Sequence, residues 1–499
     1  MPQPTKNRFD TTHLQADLKG HTVRGGVNTF GAQGFSFILN VASVAILARL
    51  LTPRDFGLVA MVTAVTGLLA MFKDAGLSMA TVQQDTVAHE QVSTLFWVNV
   101  GLSLVLMLMV AALSPWVAAF YHEPKLQAIT LAIAGLFIFD GLAVQHQALL
   151  RRQMQFGVLA KIQIISTVAG ITAAISAALL GMGYWALLVQ LAVTQSVNAG
   201  FTWGYARWMP GRPQRGVGAL AMLKFGGYLT GFNFVNYFAR NADNVLIGNA
   251  WGSSALGLYT KAYSLLLMPL AQINGPITAV AIPALSRLQN DPEQFRAFFI
   301  KVLSIICLVT FPVIAWMIVC RREIILLFLG PQWEAAIPIF AVLALSAFFQ
   351  PIGNISGAIY IALGRTKRMF KWGVMGCSRL VLSIFVGLPF GPLGVATTYS
   401  IAITLMIVPL IWYATQGTPI TFKDYFVALK VPTVSTLLSL LFGLLINLSL
   451  SGSPKWLIFS ITSGGMFFIY ALIAYKYNPS LTAFIILLIK TKGKSLKLI

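Results

Sequence analysis

The sequence predicts an all-α polytopic membrane protein of about 14 transmembrane helices: two pseudo-symmetric six-helix bundles around a central cavity, plus two C-terminal helices. Three observations predict it. Of 499 residues, 57% are hydrophobic and only 10% charged, where a soluble domain carries about 25% charged residues. The apolar runs repeatedly reach the roughly 20 residues that a helix needs to cross about 30 Å of hydrocarbon. They are continuous and do not alternate, which argues against a β-barrel. The basic residues, finally, segregate to alternate inter-helix segments, as membrane topology requires.

The spans, taken in order, are 27–51, 56–82, 92–120, 127–150, 158–181, 184–206, 225–250, 257–285, 299–319, 336–362, 369–389, 393–415, 425–448 and 456–475. With the N-terminus inside, the inner segments hold 25 Lys and Arg and the outer segments only Arg49, Arg54, Lys125, Arg321, Arg322 and Lys455. Both termini are therefore expected in the cytoplasm. The net charge of +21 is accounted for by this bias, and no nucleic-acid partner is implied. No signal peptide is apparent. Cys307, Cys320 and Cys377 lack metal-ligand spacing and read as packing residues, so neither a metal nor a cofactor is expected.

The domain plan follows from the polar punctuation. Residues 1–22 form a cytoplasmic arm and 23–206 a first six-helix bundle. The Pro- and Gly-rich stretch 207–218 is a linker, 219–416 a second bundle, 417–476 two added spans and 477–499 a basic tail lying along the inner surface, its lysines toward anionic lipid. The bundles look duplicated. Phe56-Gly57-Leu58-Val59 opens span two as Leu256-Gly257-Leu258-Tyr259 opens span eight, about 200 residues later. Ala148-Leu149-Leu150-Arg151 closes span four as Ala362-Leu363-Gly364-Arg365 closes span ten, and Gly181 and Gly183 precede span six as Gly391 and Gly394 precede span twelve. A duplicated bundle is a common transporter plan.

Polar residues inside the spans are the candidate site. In span seven, Asn233, Asn236, Arg240, Asp243 and Asn244 follow at steps of three or four and share one helix face. Charge at bilayer depth is costly and usually faces a cavity or a partner. Two readings stand: a self-neutralised Arg240–Asp243 pair joining helices, or one wall of a water-filled cavity. Asp140, Gln147 and Arg151 (span four), Gln190, Thr194 and Asn198 (span six), Lys261, Ser264 and Gln272 (span eight), Gln350 and Asn354 (span ten) and Arg379 (span eleven) add further polar faces. Span two carries Lys73 and Asp74 beside Gly76. Interhelical hydrogen bonding explains any one of these; a large polar cavity explains them together. Span eight is expected to break at Asn274-Gly275-Pro276. The intramembrane balance is mildly cationic, which suits a phosphate or carboxylate. No nucleotide loop, nucleophile elbow or metal motif is present, so no enzyme is expected.

At these residues the chain resembles a known family. Ala48-Arg49-Leu50-Leu51-Thr52-Pro53-Arg54-Asp55-Phe56-Gly57-Leu58 resembles the first-hairpin signature of Wzx-type polysaccharide flippases, and Phe72-Lys73-Asp74-Ala75-Gly76-Leu77-Ser78 continues it. Gly183-Tyr184-Trp185-Ala186-Leu187, Asn241-Ala242-Asp243-Asn244-Val245-Leu246-Ile247-Gly248 and Pro283-Ala284-Leu285-Ser286-Arg287-Leu288 resemble the colanic-acid-exporter branch. The likeness covers roughly residues 20–420. It implies a member of the multidrug/oligosaccharidyl-lipid/polysaccharide (MOP) exporter superfamily in the bacterial inner membrane. Such proteins move undecaprenyl-diphosphate-linked oligosaccharide units across the membrane by alternating access, for lipopolysaccharide, capsule or exopolysaccharide synthesis. An ion-coupled multidrug or metabolite antiporter is the alternative.

The resemblance implies a lumen role for Arg240 and Asp243; Asn233, Asn236 and Asn244 join Arg240 as expected cavity and diphosphate-binding residues by their shared helix face, and Lys261 and Arg379 by position in their spans. Asp243, Asp140, Lys73 and Asp74 are candidates for ion coupling or charge pairing, and Arg49 and Arg54 for the outer gate. Tyr237 is expected to contact sugar. The expected partners are the lipid-linked oligosaccharide, membrane lipids, a coupling H+ or Na+ and a polysaccharide polymerase machinery.

Overall fold

A computed structural model describes residues 18–73, 77–83, 87–214, 219–450 and 454–477. The expected N-terminal arm (save its last residues, in α1), the end of the linker and the basic tail lie outside the described residues. The helices are α1 (Leu18–Leu50), α2 (Pro53–Ala70), α3 (Leu77–Gln83), α4 (His89–Phe120), α5 (Lys125–Arg152), α6 (Phe156–Leu179), α7 (Trp185–Ala206), α8 (Ala219–Arg287), α9 (Pro292–Val319), α10 (Arg321–Phe328), α11 (Ala336–Ala347), α12 (Gln350–Ala362), α13 (Thr366–Gly387), α14 (Gly391–Thr415), α15 (Phe422–Ser449) and α16 (Lys455–Tyr477).

Eleven segments are long and apolar enough to cross a membrane. One of them, Lys367–Thr415, holds both α13 and α14. Helix α8 turns at Gly252 (φ 78°, ψ −178°), a conformation that glycine adopts without a Cβ penalty; its two arms serve as spans seven and eight. With α7, and with α2–α3 and α11–α12 each acting as one interrupted span, the described residues form 14 membrane-length rods. The chain is a multi-pass, all-helical membrane protein.

Local chemistry sets the helix ends. Thr52 caps α2: its N–H and its hydroxyl both donate to Asp55 Oδ2, at 2.9 and 2.7 Å, and Pro53 fills the first helical turn. Asp291 caps α9 by accepting the Gln294 N–H at 3.0 Å. Thr421 and Asp424 form a capping box at α15. Asp424 is buried, and the Arg296 guanidinium of α9 meets its carboxylate at 2.6 Å, which fixes the first added span to α9.

Two compact units appear, residues 1–257 and 258–499. In the first, α4 pairs with α5 and α6 with α7, while α1 packs on α6 and α5 on α7. The arm 219–251 of α8 also belongs to this unit. The Tyr237 hydroxyl donates to the Thr63 and Ala64 carbonyls at 3.0 and 3.2 Å, and the Asn249 amide to the Phe120 carbonyl at 2.5 Å. The contact-based division thus falls about 40 residues after the linker at 207–218. The linker's described part, 207–214, straps onto the first unit: Trp208 Nε1 donates to His89 Nδ1 at 3.1 Å, and Gly211 donates its N–H to Ser93 Oγ at 2.9 Å.

In the second unit, Phe295, Phe299, Ile306, Ile355, Ile359 and Tyr425 form a continuous apolar core. Helix α15 packs on α9 and α16 on α15. Ser304 Oγ donates to the Ala428 carbonyl at 3.0 Å and Tyr470 Oη to the Leu308 carbonyl at 2.9 Å, so both added spans are part of this unit.

Local geometry bears on the duplication. A Cβ on Gly57 would strike the Ser253 carbonyl, and one on Gly257 the Pro53 carbonyl. Residue 57 therefore meets 253 and residue 257 meets 53, the reciprocal pattern of a two-fold contact between positions 200 apart. Gly181 and Gly391 both sit at φ 76°. Met154 (φ 52°) and Gly364 (φ 67°) both follow a C-cap residue, and the next N–H bonds back to Leu150 and Tyr360 respectively; both are Schellman ends. These turns match at an offset of 210, four residues from the register that the Ala-Leu-x-Arg motifs suggest.

Three expectations about helix continuity are corrected. Helix α8 runs unbroken through Asn274-Gly275-Pro276 despite Pro269, Pro276 and Pro283. Each proline removes one hydrogen bond and bends the helix, and neighbouring groups in a membrane protein re-satisfy the freed carbonyl. Span two, expected to be continuous, instead divides between Ala70 and Leu77, and span ten divides at Phe348 and Phe349.

Candidate functional site

Of the span-seven stripe, Asn233, Asn236 and Arg240 have side chains outside the described residues, as does Asp74. Asp243 is 4% exposed, and one of its carboxylate oxygens accepts the Asn244 N–H at 2.8 Å. The Asn244 amide reaches Asn241 Oδ1 at 3.4 Å, and the Asn241 amide donates to the Tyr237 carbonyl at 3.0 Å. The Tyr237 hydroxyl, expected on sugar, donates to backbone carbonyls of α2. Lys261 is half-buried on the arm 253–287. Arg49 is exposed at the end of α1, and Arg54, also exposed, pairs with Glu123 at 2.8 Å.

Several other polar faces join helices. Gln147 Nε2 donates to Asn198 Oδ1 at 2.8 Å, and Gln190 Nε2 to Ser43 Oγ at 3.2 Å. Such pairs satisfy amides that would otherwise be stranded in an apolar layer.

Charged groups converge where span two divides. After Ala70 the backbone makes one tight turn, with Phe72 and Lys73 bonding back to Leu69 and Ala70. Asn99 of α4, fully buried, donates to the Lys73 carbonyl at 3.4 Å. Gln145 of α5 donates to Asn99 Oδ1 at 3.0 Å and accepts from Thr81 Oγ1 of α3 at 2.9 Å. Arg152 then donates to the Thr81 carbonyl at 3.2 Å. A buried chain of side chains from two neighbouring helices thus ties both sides of the interruption. Above it, Lys73 Nζ lies 3.0 Å from Asp140, with side-chain exposures of 36% and 28%. The pair is about one-third exposed, while the amides and hydroxyl beneath it are wholly buried.

The depth of this cluster follows from helix rise. Asp140 precedes Arg152 by 12 residues, about 18 Å, and Asn99 follows His89 by ten residues, about 15 Å, at roughly 1.5 Å per residue. Both place the pair near the middle of a hydrocarbon core of about 30 Å. Lys73 and Asp140 were legible as intramembrane charges. Asn99, Gln145 and Thr81 were missed, although lone amides within apolar runs were an available signal.

In the second unit, Arg379 is exposed on α13. Met375, Leu382 and Val386, at i−4, i+3 and i+7, are exposed on the same face. Among the described residues Arg379 has no hydrogen-bond or ion-pair partner. Arg365 and Arg368, by contrast, are spent on the end of α14: Arg368 donates to the Tyr413 carbonyl at 2.9 Å and to Gln416 Oε1 at 2.8 Å, and Arg365 to the Gln416 carbonyl at 3.3 Å.

Residues 46–338, more than half of the chain, match the family described as "Polysaccharide biosynthesis protein". The chain is 24% identical over 424 residues to the lipopolysaccharide biosynthesis protein WzxC of Escherichia coli K12, covering 83% of this chain and 85% of that one. It is 27% identical to the teichuronic acid biosynthesis protein TuaB of Bacillus subtilis, with 89% and 93% covered. It is 29% identical to the succinoglycan biosynthesis transport protein ExoT of Rhizobium meliloti, with 66% and 65% covered. The fold matches an inward closed structure of the lipid II flippase MurJ with a TM-score of 0.74 at 16% identity, covering 91% of this chain and 99% of that one. It also matches an inward-facing multidrug transporter of the MATE family in the MOP superfamily, at a TM-score of 0.60 and 14% identity, with 76% and 93% covered. At such identities these structures establish a shared fold. By the matched span, this multi-pass membrane chain belongs to the polysaccharide biosynthesis protein family.

Proposed function

We propose that this chain is a flippase that carries undecaprenyl-diphosphate-linked oligosaccharide units from the cytoplasmic to the periplasmic leaflet of a bacterial inner membrane, for lipopolysaccharide, capsule or exopolysaccharide synthesis. Family membership carries this reading, together with relatives named for glycan biosynthesis and, in ExoT, for transport. It is a transporter and not an enzyme. The excess of Lys and Arg in the inner segments supports a cytoplasmic location for both termini. The MATE-like fold also suits a multidrug or metabolite antiporter, but the family match favours the glycan.

The physical task is to move a polar head group past hydrocarbon while the polyprenyl tail stays in it. The head carries a diphosphate, so the path needs cations and a route for water. Arg379 supplies a guanidinium deep in α13 with no protein acid on it among the described residues, beside exposed apolar side chains suited to a lipid tail. A guanidinium can bind phosphate oxygens through two parallel hydrogen bonds. Lys261, Arg240 and the span-seven asparagines are assigned to the same path by the sequence pattern. An ion gradient (H+ or Na+) or the membrane potential would drive the cycle, and a polymerase would consume the delivered units.

Deleting the gene in its native host should leave lipid-linked units accumulated on the cytoplasmic side and stop surface glycan, with restoration by the intact chain. Arg240→Ala and Arg379→Ala should reach the membrane at normal levels but fail to restore export. Full export by a normally expressed Arg379→Ala chain would remove this residue from the path. Restoration of drug resistance rather than glycan would favour the antiporter.

A further inference from the structure

We infer that Lys73 is an exchangeable cation, shared in turn between Asp140 and the phosphoester of the lipid-linked cargo, with the divided span two built to present it. The inference rests on the flippase reading above and adds which group takes the charge and what gives it up. The first support is the separation of roles at the interruption. Asn99, Gln145 and Thr81 are wholly buried and by themselves hold the two sides together. The Lys73–Asp140 pair satisfies none of those buried groups. It stands about one-third exposed, on a turn that an uninterrupted helix would not provide.

The second support is cost. Two charges near mid-membrane are expensive even when paired, and a plain helix-joining contact is made elsewhere in this unit by neutral amides. Expense without a structural return points to a ligand.

The third support is the repeat. The stretch 71–76, which begins with the turn at 71–73, lies 200 residues before 271–276 of α8, in the register of the Gly57 and Gly257 contacts. There the chain reads Ala271, Gln272, Ile273, Asn274, Gly275 and Pro276, and the helix is continuous. Ile273 stands where Lys73 does. The cation and the opening occur together in one repeat and are absent together from the other.

The exchange balances charge. Asp140 neutralises Lys73 while no cargo is engaged. When a phosphoester oxygen takes the ammonium, Asp140 turns to water and opposes the bound anion. Capture is thereby weakened, which permits release on the far side.

The test uses the full chain in nanodiscs of zwitterionic lipid, titrated with farnesyl diphosphate, farnesyl phosphate, farnesol and inorganic pyrophosphate. The expected order is diphosphate before monophosphate, with farnesol weakest. Lys73→Gln should weaken diphosphate binding about tenfold and leave farnesol unchanged, and Asp140→Asn should tighten it several-fold. The double variant Lys73→Gln with Asp140→Asn keeps the span neutral, so a merely structural pair predicts wild-type binding; the inference predicts binding as weak as in Lys73→Gln. Wild-type diphosphate affinity in the double variant overturns it. So does inorganic pyrophosphate binding as tightly as farnesyl diphosphate, since the site would then read a free anion. If the double variant restores glycan export fully in the deletion host, this inference fails while the flippase reading stands. If the intact chain itself does not restore export, the flippase reading fails.

Discussion

Residues 71–76 and 271–276 occupy equivalent places in the two repeats, yet α2 has ended before the first stretch, with a turn at 71–73, while α8 runs helical through the second. Composition alone suggests the reverse. The second stretch contains Asn-Gly-Pro, strong punctuation in any helix, whereas the first reads Met-Phe-Lys-Asp-Ala-Gly. The difference teaches that neighbours, more than propensity, decide where a membrane helix divides. Around Lys73, α4 and α5 offer Asn99 and Gln145 to take up the freed backbone and side-chain groups, and Asp140 to take up the charge. Asn274 is buried, with its Oδ1 lacking a hydrogen-bond partner among the described residues, and the backbone there keeps its own helical bonds.

A third site completes the contrast. Span ten divides at Phe348 and Phe349, and this interruption is apolar. Phe348 packs edge-to-face on Phe311 at 5.2 Å, both rings lie against the core of the second unit, and the Phe349 N–H simply bonds back to Ser346 at 3.1 Å. One division is held by amides and presents a charge; the other is held by packing and presents none.

The largest effect is expected at the polar division. Asn99→Leu strands the Gln145 amide and the Lys73 carbonyl and should cost about 3 kcal/mol, at roughly 1–3 kcal/mol per buried orphan. A thermal melt of the detergent-solubilised chain reads this, and unchanged stability would show that the scaffold is dispensable. Phe348→Ala should cost about 2 kcal/mol through lost packing, less than in a soluble core because lipid tails also solvate the site. Export per folded molecule should be unaffected; a specific export defect would mean that the apolar division is also part of the path.

Ion pairs sharpen the same comparison. Arg296→Gln leaves Asp424 buried but still bonded to the Thr421 N–H and hydroxyl, so the loss should fall below the roughly 3–5 kcal/mol of orphaning a fully buried charge. Lys73→Gln leaves a part-exposed Asp140 without its cation and should cost no more than Arg296→Gln, yet weaken diphosphate binding, which Arg296→Gln should not. The smallest effect belongs to Asn274→Leu, neutral or stabilising by about 0.5–1 kcal/mol because a buried unpartnered carbonyl is removed. Lost export in that variant would extend cargo handling to the second repeat.

Much of this protein was legible in its sequence. The length and continuity of the apolar runs gave 14 spans, because a bilayer imposes one length and forbids unpaired backbone. The first-hairpin motif pointed to the family, and the Gly57 and Gly257 motifs to the repeat. Lys73, Asp140 and Arg379 were visible as charges in apolar surroundings. Tertiary structure alone decided which of these charges meet. It joined Lys73 to Asp140, 67 residues apart, left Arg379 exposed, engaged Tyr237 with α2 and put the opening in span two rather than span eight. Such outcomes depend on hydrogen-bond partners carried by other helices, whose rotation and depth no local pattern specifies, whereas burial in lipid acts on every residue of a span alike.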